Sequence, residues 1–417
     1  MANNYQMNDL NGLNSAVLIL AALCIFAVAY RLYGLFIATR VLRLDPQRQV
    51  PSNTMTDGMD YTPTNRNVLF GHHFAAIAGA GPLMGPVLAA QFGYLPGALW
   101  ILIGAVLAGS VHDLVVLFAS VRHRGESLAV IARSEIGTIA GRVASVAFLL
   151  ILILTIAGAS IAMTNALAHS PWGTFVVAST IPAALLMGLI IRRLPSHGVL
   201  VASLVGAGLL LLAVIFGNRF QTSPELRELF SLSRTQIALL LPCYACLASI
   251  LPVWLLLAPR DYLSTFLKVL TIAGLVAGIL VLQPELRMPP LTGFIHGGGP
   301  VVPGAVMPFI FITIACGALS GFHATIASGT TPKMIANEGD ILFVGYGAML
   351  FEGVVAMMAL IAASVLVPAD YFAINAPAAA YQKLGMTPVD LPWLSEMIGE
   401  DLHHRPGGAV SLAVGMS

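Results

Sequence analysis

The sequence predicts an all-α, polytopic membrane helix bundle, and three observations carry that prediction. Hydrophobic residues make up 58% of the chain and charged residues 9%, with mean hydropathy +0.87, where a soluble domain carries about 25% charged residues. The apolar residues gather into about ten runs near the roughly 20 residues that a helix needs to cross a bilayer. Two of those runs carry helix breakers in their interior, where an ordinary spanning helix keeps its backbone closed. The net charge of +1 gives no reason to expect nucleic acid, and the arginines fall in short loops rather than on one basic face. Four cysteines in 417 residues, all within or beside apolar segments, do not form the disulfide framework of a small secreted domain.

The first span is expected near 15–38. It follows MANNYQMNDL, which holds no Lys or Arg, and it is of full spanning length, so it does not read as a cleavable signal peptide. A polar, Pro-bearing loop over 52–64 leads to the second span, 68–91, broken by Gly79, Gly81, Pro82, Gly85 and Pro86. The third span, 95–119, precedes a short charged segment, 127–137, which reads as an interfacial helix. Three further spans follow near 140–168, 172–192 and 197–217. The seventh, 236–257, is expected to be interrupted by Pro242 and Pro252. Spans eight to ten lie near 261–283, 304–328 and 342–367, and residues 368–406 are too polar to span and pack on the outer face.

Lys and Arg set the orientation. With the N-terminus outside, twelve Lys and Arg fall in inner loops and six in outer ones, and the dense groups Arg40, Arg43, Arg48 and Arg122, Arg124 and Arg192, Arg193 all lie inside. The broken second and seventh spans are five apart, so the second half of the chain runs opposite to the first. That spacing predicts a 5+5 inverted repeat preceded by one extra helix, the plan of many secondary transporters. The corresponding segments are 1–66 (first helix and cytoplasmic loop), 67–217 (first repeat), 236–367 (second repeat, incomplete) and 368–417 (outer segment and start of a further helix).

Open backbone at membrane depth survives only where protein or a polar cavity satisfies it. The break at Gly79, Ala80, Gly81, Pro82 and Gly85 therefore predicts a binding site, with Pro242 and Cys243 at the second break completing it. Half-helix N–H groups suit a carboxylate, and the carbonyls at the opposite end suit a cation. Against this, the glycines alone would also permit close helix packing. His72 and His73 precede the break; adjacent helical residues point about 100° apart, so only one can face a pathway squarely. Intramembrane histidines relay protons or ligate metal or haem, and His112 and His323 are further candidates. Glu352 in the tenth span needs a partner across the bundle and reads as an ion-coupling group. Asp113 lies near Arg122 and Arg124 and reads as a structural salt bridge. Asp261 is expected to cap the eighth span, and Lys268 to snorkel or pair with a carboxylate such as Glu352. Cys243 and Cys246 form a C-x-x-C without the setting of a redox or zinc motif.

The blocks HHFAAIAGAGPLMGPVLAAQFGYLPGALW (72–100), PRDYLSTFLK (259–268), CGALSGFHATIASGTTPK (316–333) and GYGAMLFEG (345–353) resemble, in order, the signature blocks of the carbon starvation protein A (CstA) family of bacterial inner-membrane transporters. The resemblance extends over essentially the whole chain. It implies uptake of small peptides or of pyruvate, driven by an ion gradient, on a fold similar to the LeuT-like amino acid–polyamine–organocation transporters. In that arrangement the first and eighth core helices, here spans two and nine, share a sodium site of carbonyls and hydroxyls. This points to Ser328 and Thr331 opposite carbonyls near Ala78 and Gly79, with Na+ or H+ as coupling ion and no cofactor required. Those hydroxyls have an alternative in bonding their own helix carbonyls. Typical members continue beyond the apolar run at 407–416, whereas this sequence stops at Ser417, so the second repeat is expected to be completed by a separate subunit or to be cut short.

A second function class stays open at this level: a membrane redox protein in which His72, His73, His112 and His323 hold haem b or a divalent metal. Neither G-x-S-x-G nor H-E-x-x-H occurs, so these motifs give no reason to expect a hydrolytic enzyme.

Overall fold

The computed structural model describes residues 14–168, 170–194, 197–398 and positions 402, 403, 411, 414 and 415. The expected further helix over 407–416 falls mostly outside these residues. The architecture is an all-helical, multi-pass membrane bundle. Among the described residues seven helices are long and apolar enough to cross a membrane: α1 Ser15–Val41, α4 Tyr94–Arg122, α6 Thr138–Leu167, α7 Pro171–Arg193, α8 Gly198–Gly217, α11 Leu257–Leu282 and α14 Glu338–Val365. An eighth span is the pair α2 Arg66–Ile77 and α3 Gly81–Phe92, bent by 45°. The short charged segment forms α5 Leu128–Glu135, α9 is Pro224–Phe230, and α10 is Arg234–Ile250. The expected ninth span is two short helices, α12 Val306–Thr313 and α13 Gly321–Ala327.

Helix α14 is the axis of the bundle. Of its most apolar window 89% is buried, against none of the corresponding window of α6. It packs against α1, α2, α3, α4 and α11, and a run of small residues, Ala348, Gly353, Ala356, Ala359, Ala362 and Ala363, lets those neighbours approach closely. The α6 surface, with Ile139, Leu154 and Ile161 exposed, is the kind that faces lipid.

The break in α2–α3 lies at 78–80, in the N-terminal part of the expected stretch: α2 ends at Ile77, Gly79 and Gly81 flank Ala80, and Pro82 sits in the first turn of the new helix, whereas Gly85 and Pro86 lie inside continuous α3. The seventh span differs from expectation. Pro242 sits inside a continuous α10, and Pro252 lies beyond its end at Ile250. A lone proline removes one hydrogen bond without opening the helix. Helix α10 starts at a capping box of Ser233 and Gln236 and packs on α6. The second opening is in the ninth span instead, at 314–320 between α12 and α13.

Loops assigned to the inner side by charge gather at one end of the bundle. Trp254 Nε1 donates to the Gly58 carbonyl (3.0 Å), Tyr61 Oη to the Arg124 carbonyl (2.8 Å), and Lys333 pairs with Asp60 (3.3 Å). Buried Glu338 takes two hydrogen bonds from Arg122 (2.6 and 3.0 Å) and one from the Asp45 amide (3.0 Å). At the opposite end Gln91 fixes the 301–302 segment through Val301 N, Val302 N and Val302 O. There also α15 Pro368–Asn375, α16 Ala378–Leu384 and α17 Leu391–Ile398 cover the bundle, tied by Asp370 to the amides of Val389, Asp390 and Leu391.

Candidate functional site

Helix α11 runs beside α2 and supplies a partner at each turn. Asp261 Oδ2 lies 2.9 Å from His72 Nδ1, and Thr265 Oγ1 donates to the Gly71 carbonyl (2.8 Å). Lys268 Nζ donates to the carbonyls of Ala75 (3.1 Å) and Ala78 (2.8 Å). A helix C-terminus leaves its last carbonyls without intrahelical donors and carries partial negative charge. The Lys268 ammonium answers both requirements at the end of α2. Beyond it, Gly79 and Gly81 are exposed at the break.

The second break packs directly on the first. A Cβ on Gly81 would lie 2.6 Å from Cys316 Cβ, and one on Gly85 would overlap the Thr313 carbonyl. On the α4 side, a Cβ on Gly109 would overlap the Ala318 carbonyl. Cys316 Sγ lies 3.6 Å from the Ile77 carbonyl and 3.6 Å from His323 Nε2. The glycines of the second span thus admit the backbone of the ninth, and two interrupted helices meet break to break.

Beside this junction is a buried polar array. His323 on α13 places Nδ1 2.9 Å from Asp113 Oδ2 and Nε2 3.2 Å from Glu352 Oε2. The second approach has the length of an ion pair without hydrogen-bond geometry, so both Glu352 oxygens lack a hydrogen-bond partner among the described residues. His112 Nδ1 meets the other Asp113 oxygen at 2.9 Å. The side chains of Asp113, His323 and Glu352 are all fully buried. Asp113 follows a π-helical stretch at Gly104–Gly109, and Glu352 follows another at Leu342–Gly347; such local widening of a helix is frequent at functional sites. Cys316, His323 and Glu352 offer ligand atoms within 4.8 Å of one another, a donor set that could hold a metal ion.

Gly79, Ala80, Gly81, Pro82 and Gly85 lie at the paired breaks. Pro242 and Cys243 do not form a second break: they sit on the unbroken α10, where Cys243 and Cys246 are free and exposed. The Ala78 carbonyl is occupied by Lys268. Ser328 Oγ donates to the Ala324 carbonyl (2.6 Å) and accepts from Leu128 N (3.1 Å), while Thr331 Oγ1 bonds His73 Nδ1 (2.9 Å). Glu352 has the expected cross-bundle neighbour, in His323 rather than Lys268. Asp113 binds His112 and His323, and Arg122 binds Glu338 instead. Asp261 is not a cap, because α11 starts four residues earlier, at Leu257. Of the four candidate histidines, His72 faces Asp261 and His73 faces Thr331, while His112 and His323 share Asp113. Cys316 was not singled out by sequence; its place seven residues before His323 in one block was the available signal.

Residues 14–417 match the family described as carbon starvation protein CstA. The chain is 51% identical over 405 residues to the peptide transporter CstA of Bacillus subtilis, covering 97% of this chain and 67% of that one. It is 49% identical over 424 residues to the peptide transporter CstA of Escherichia coli, covering 97% of this chain and 60% of the relative. To the pyruvate/proton symporter BtsT of Escherichia coli it is 52% identical over 384 residues, 92% of this chain and 53% of that protein. The chain thus spans between about half and two thirds of the length of these relatives. No solved structure matches it significantly. The signature blocks place residues on the two facing breaks, on the α11 face that pairs with α2 and, through His323 and Glu352, in the buried array beside the breaks, and with the family match over 14–417 the chain belongs to the carbon starvation protein CstA family.

Proposed function

We propose that the chain forms the core of a proton-coupled secondary transporter that imports small peptides or pyruvate-like carboxylates across the bacterial inner membrane, with its N-terminus outside. The carrying observation is the meeting of two interrupted spans, 78–80 and 314–320, midway along the bundle. Relatives named as peptide transporters and as a pyruvate/proton symporter support this substrate class. In this reading the substrate carboxylate meets the exposed break at Gly79, Ala80 and Gly81, where the N-terminus of α3 favours an anion.

A proton fits the chemistry of the coupling site better than Na+. Of the carbonyls expected to ligate a sodium ion, near Ala78 and Gly79, that of Ala78 already holds the Lys268 ammonium. The hydroxyls of Ser328 and Thr331 are engaged elsewhere. Asp113, His323 and Glu352 combine two carboxylates with one imidazole, and neither carboxylate has a Lys or Arg ion pair among the described residues. With His323 protonated and the adjoining His112 neutral, this set carries one net negative charge, which is costly when buried. One more proton on Glu352 brings it to neutrality.

Proteoliposomes carrying labelled pyruvate or dialanine test the reading. Gly81→Leu, which drives a side chain into Cys316, is expected to abolish counterflow, and Cys243→Ala on the exposed α10 to preserve it. Glu352→Gln is expected to lose uptake driven by a pH gradient while keeping counterflow. Uptake driven by a Na+ gradient at constant pH overturns proton coupling.

A further inference from the structure

A cavity of about 350 Å³ opens at the end of the bundle where the loops assigned to the inner side gather. Its size is at the lower end of the roughly 300–1,000 Å³ typical of small-molecule sites. Among the described residues Arg192 is the one charged residue in its wall, and no acid lines it. The Arg192 guanidinium lies 4.1 Å from the ring centroid of Trp254 and has no carboxylate partner among the described residues. Trp254 is itself held by its bond to the Gly58 carbonyl. The Oγ1 atom of Thr62, also in the wall, is buried without a hydrogen-bond partner among the described residues. Asn65, the N-cap of α2, and Val68 in its first turn line the same space, so the positive end of that helix opens there. The rest of the wall, including Ile191 and Pro259, is largely apolar.

Arg192 and the α2 N-terminus favour an anion, to which the Thr62 hydroxyl can donate, and the apolar wall favours one with a small organic body. A guanidinium stacked on an indole keeps its edge free for two-point contact with a carboxylate. The cavity also lies at the near end of the helix pair that leads to the break. Along α2 and α11, Val68 and Pro259 line the cavity, His72 faces Asp261 next, and Ala75 and Ala78 meet Lys268 at the break.

We propose that this cavity is a second carboxylate subsite on the inner side, occupied by the transported solute between the break and the cytoplasm, with the His72–Asp261 contact standing between the two positions. The subsite rests on the transporter reading for its solute, but its binding chemistry stands on the cavity alone.

Trp254 is a built-in reporter, read as the fluorescence difference between the parent chain and Trp254→Phe in detergent. Pyruvate and dialanine are expected to change Trp254 emission, and dialanine amide to leave it unchanged. Arg192→Gln is expected to remove that response and to raise the inner-side KM for counterflow about tenfold with the outer-side KM unchanged. Arg193→Gln, outside the cavity wall, serves as the folding control, and Thr62→Val provides a second, milder variant with the same direction of effect. An equal response to dialanine amide, or an unaltered inner-side KM in Arg192→Gln, overturns the subsite. A response to inorganic phosphate with none to either carboxylate overturns it as well and assigns the cavity to phosphate or a lipid headgroup. If Trp254 responds to carboxylates while the parent chain moves none of them across the bilayer, the transporter reading fails and the anion subsite stands.

Discussion

Lys268 decides what the end of α2 can bind. It arrives from 190 residues away to the Ala78 carbonyl, carrying its own charge to a position that in an interrupted membrane helix otherwise calls for a free cation. Lys268→Met keeps the stem and removes the donors. It is expected to lower the thermal stability of the purified chain, since leaving a buried carbonyl unpaired costs about 1–3 kcal/mol, and to stop uptake. A melting temperature equal to that of the parent would show that the ammonium is not needed there. At this scale the sequence was only partly legible. Glu352 and His323 stand out because ionisable groups are rare in apolar runs, whereas Asp113 has arginines nearby in sequence that turn elsewhere in space. Cys316 resembles any small membrane residue until its neighbours are known.

Helical elements were more legible than their partners. Gly and Pro act on their own backbone, so the break at 78–80 is written locally. Pro242 was misleading because proline alone leaves α10 continuous, while the opening at 314–320 depends on a Gly-bearing stretch that gains its close packing from Gly81, Gly85 and Gly109 of other elements. The short α5 is docked by a different device. His123 donates from Nδ1 to the Ala119 carbonyl (2.7 Å) and from Nε2 to Glu135 (3.0 Å), and both donors exist only in the imidazolium. The Glu135 hydrogen bond, then the Ala119 carbonyl, raises the His123 pKa above its ordinary value of 6.5. A raised value means that this docking is fully present below about 6.5 and is lost as pH rises through the shifted value. Amide exchange in α5, corrected for its intrinsic pH dependence, is therefore expected to quicken across that window in the parent chain and to show no such step in His123→Gln. A step of equal size in the variant would assign the effect to another group.

On the scale of the whole molecule, Glu338 ties the inner end together. It is fully buried, holds Arg122 through both oxygens, and also receives Asp45 N and, at 3.6 Å, Arg48. Glu338→Ala strands a partly buried guanidinium, and breaking such a pair typically costs about 3–5 kcal/mol. Because Arg122 retains some access to water, the lower end of that range is expected, read as a thermal shift that Arg48→Ala alone does not reproduce. The sequence by itself determined the helical class, most of the spans, the division of loops between two ends and the first break. Each of these follows from hydrophobic length, loop charge or a residue's effect on its own backbone, and the bilayer enforces them locally. Only the tertiary structure decided that the ninth span, not the seventh, meets the first break, that Lys268 seals one of its ends, and that Asp113 belongs with His323 and Glu352. Open peptide groups and buried charges are stabilised by whatever donor or acceptor the packing brings to them, and those partners lie too far along the chain for spacing to reveal.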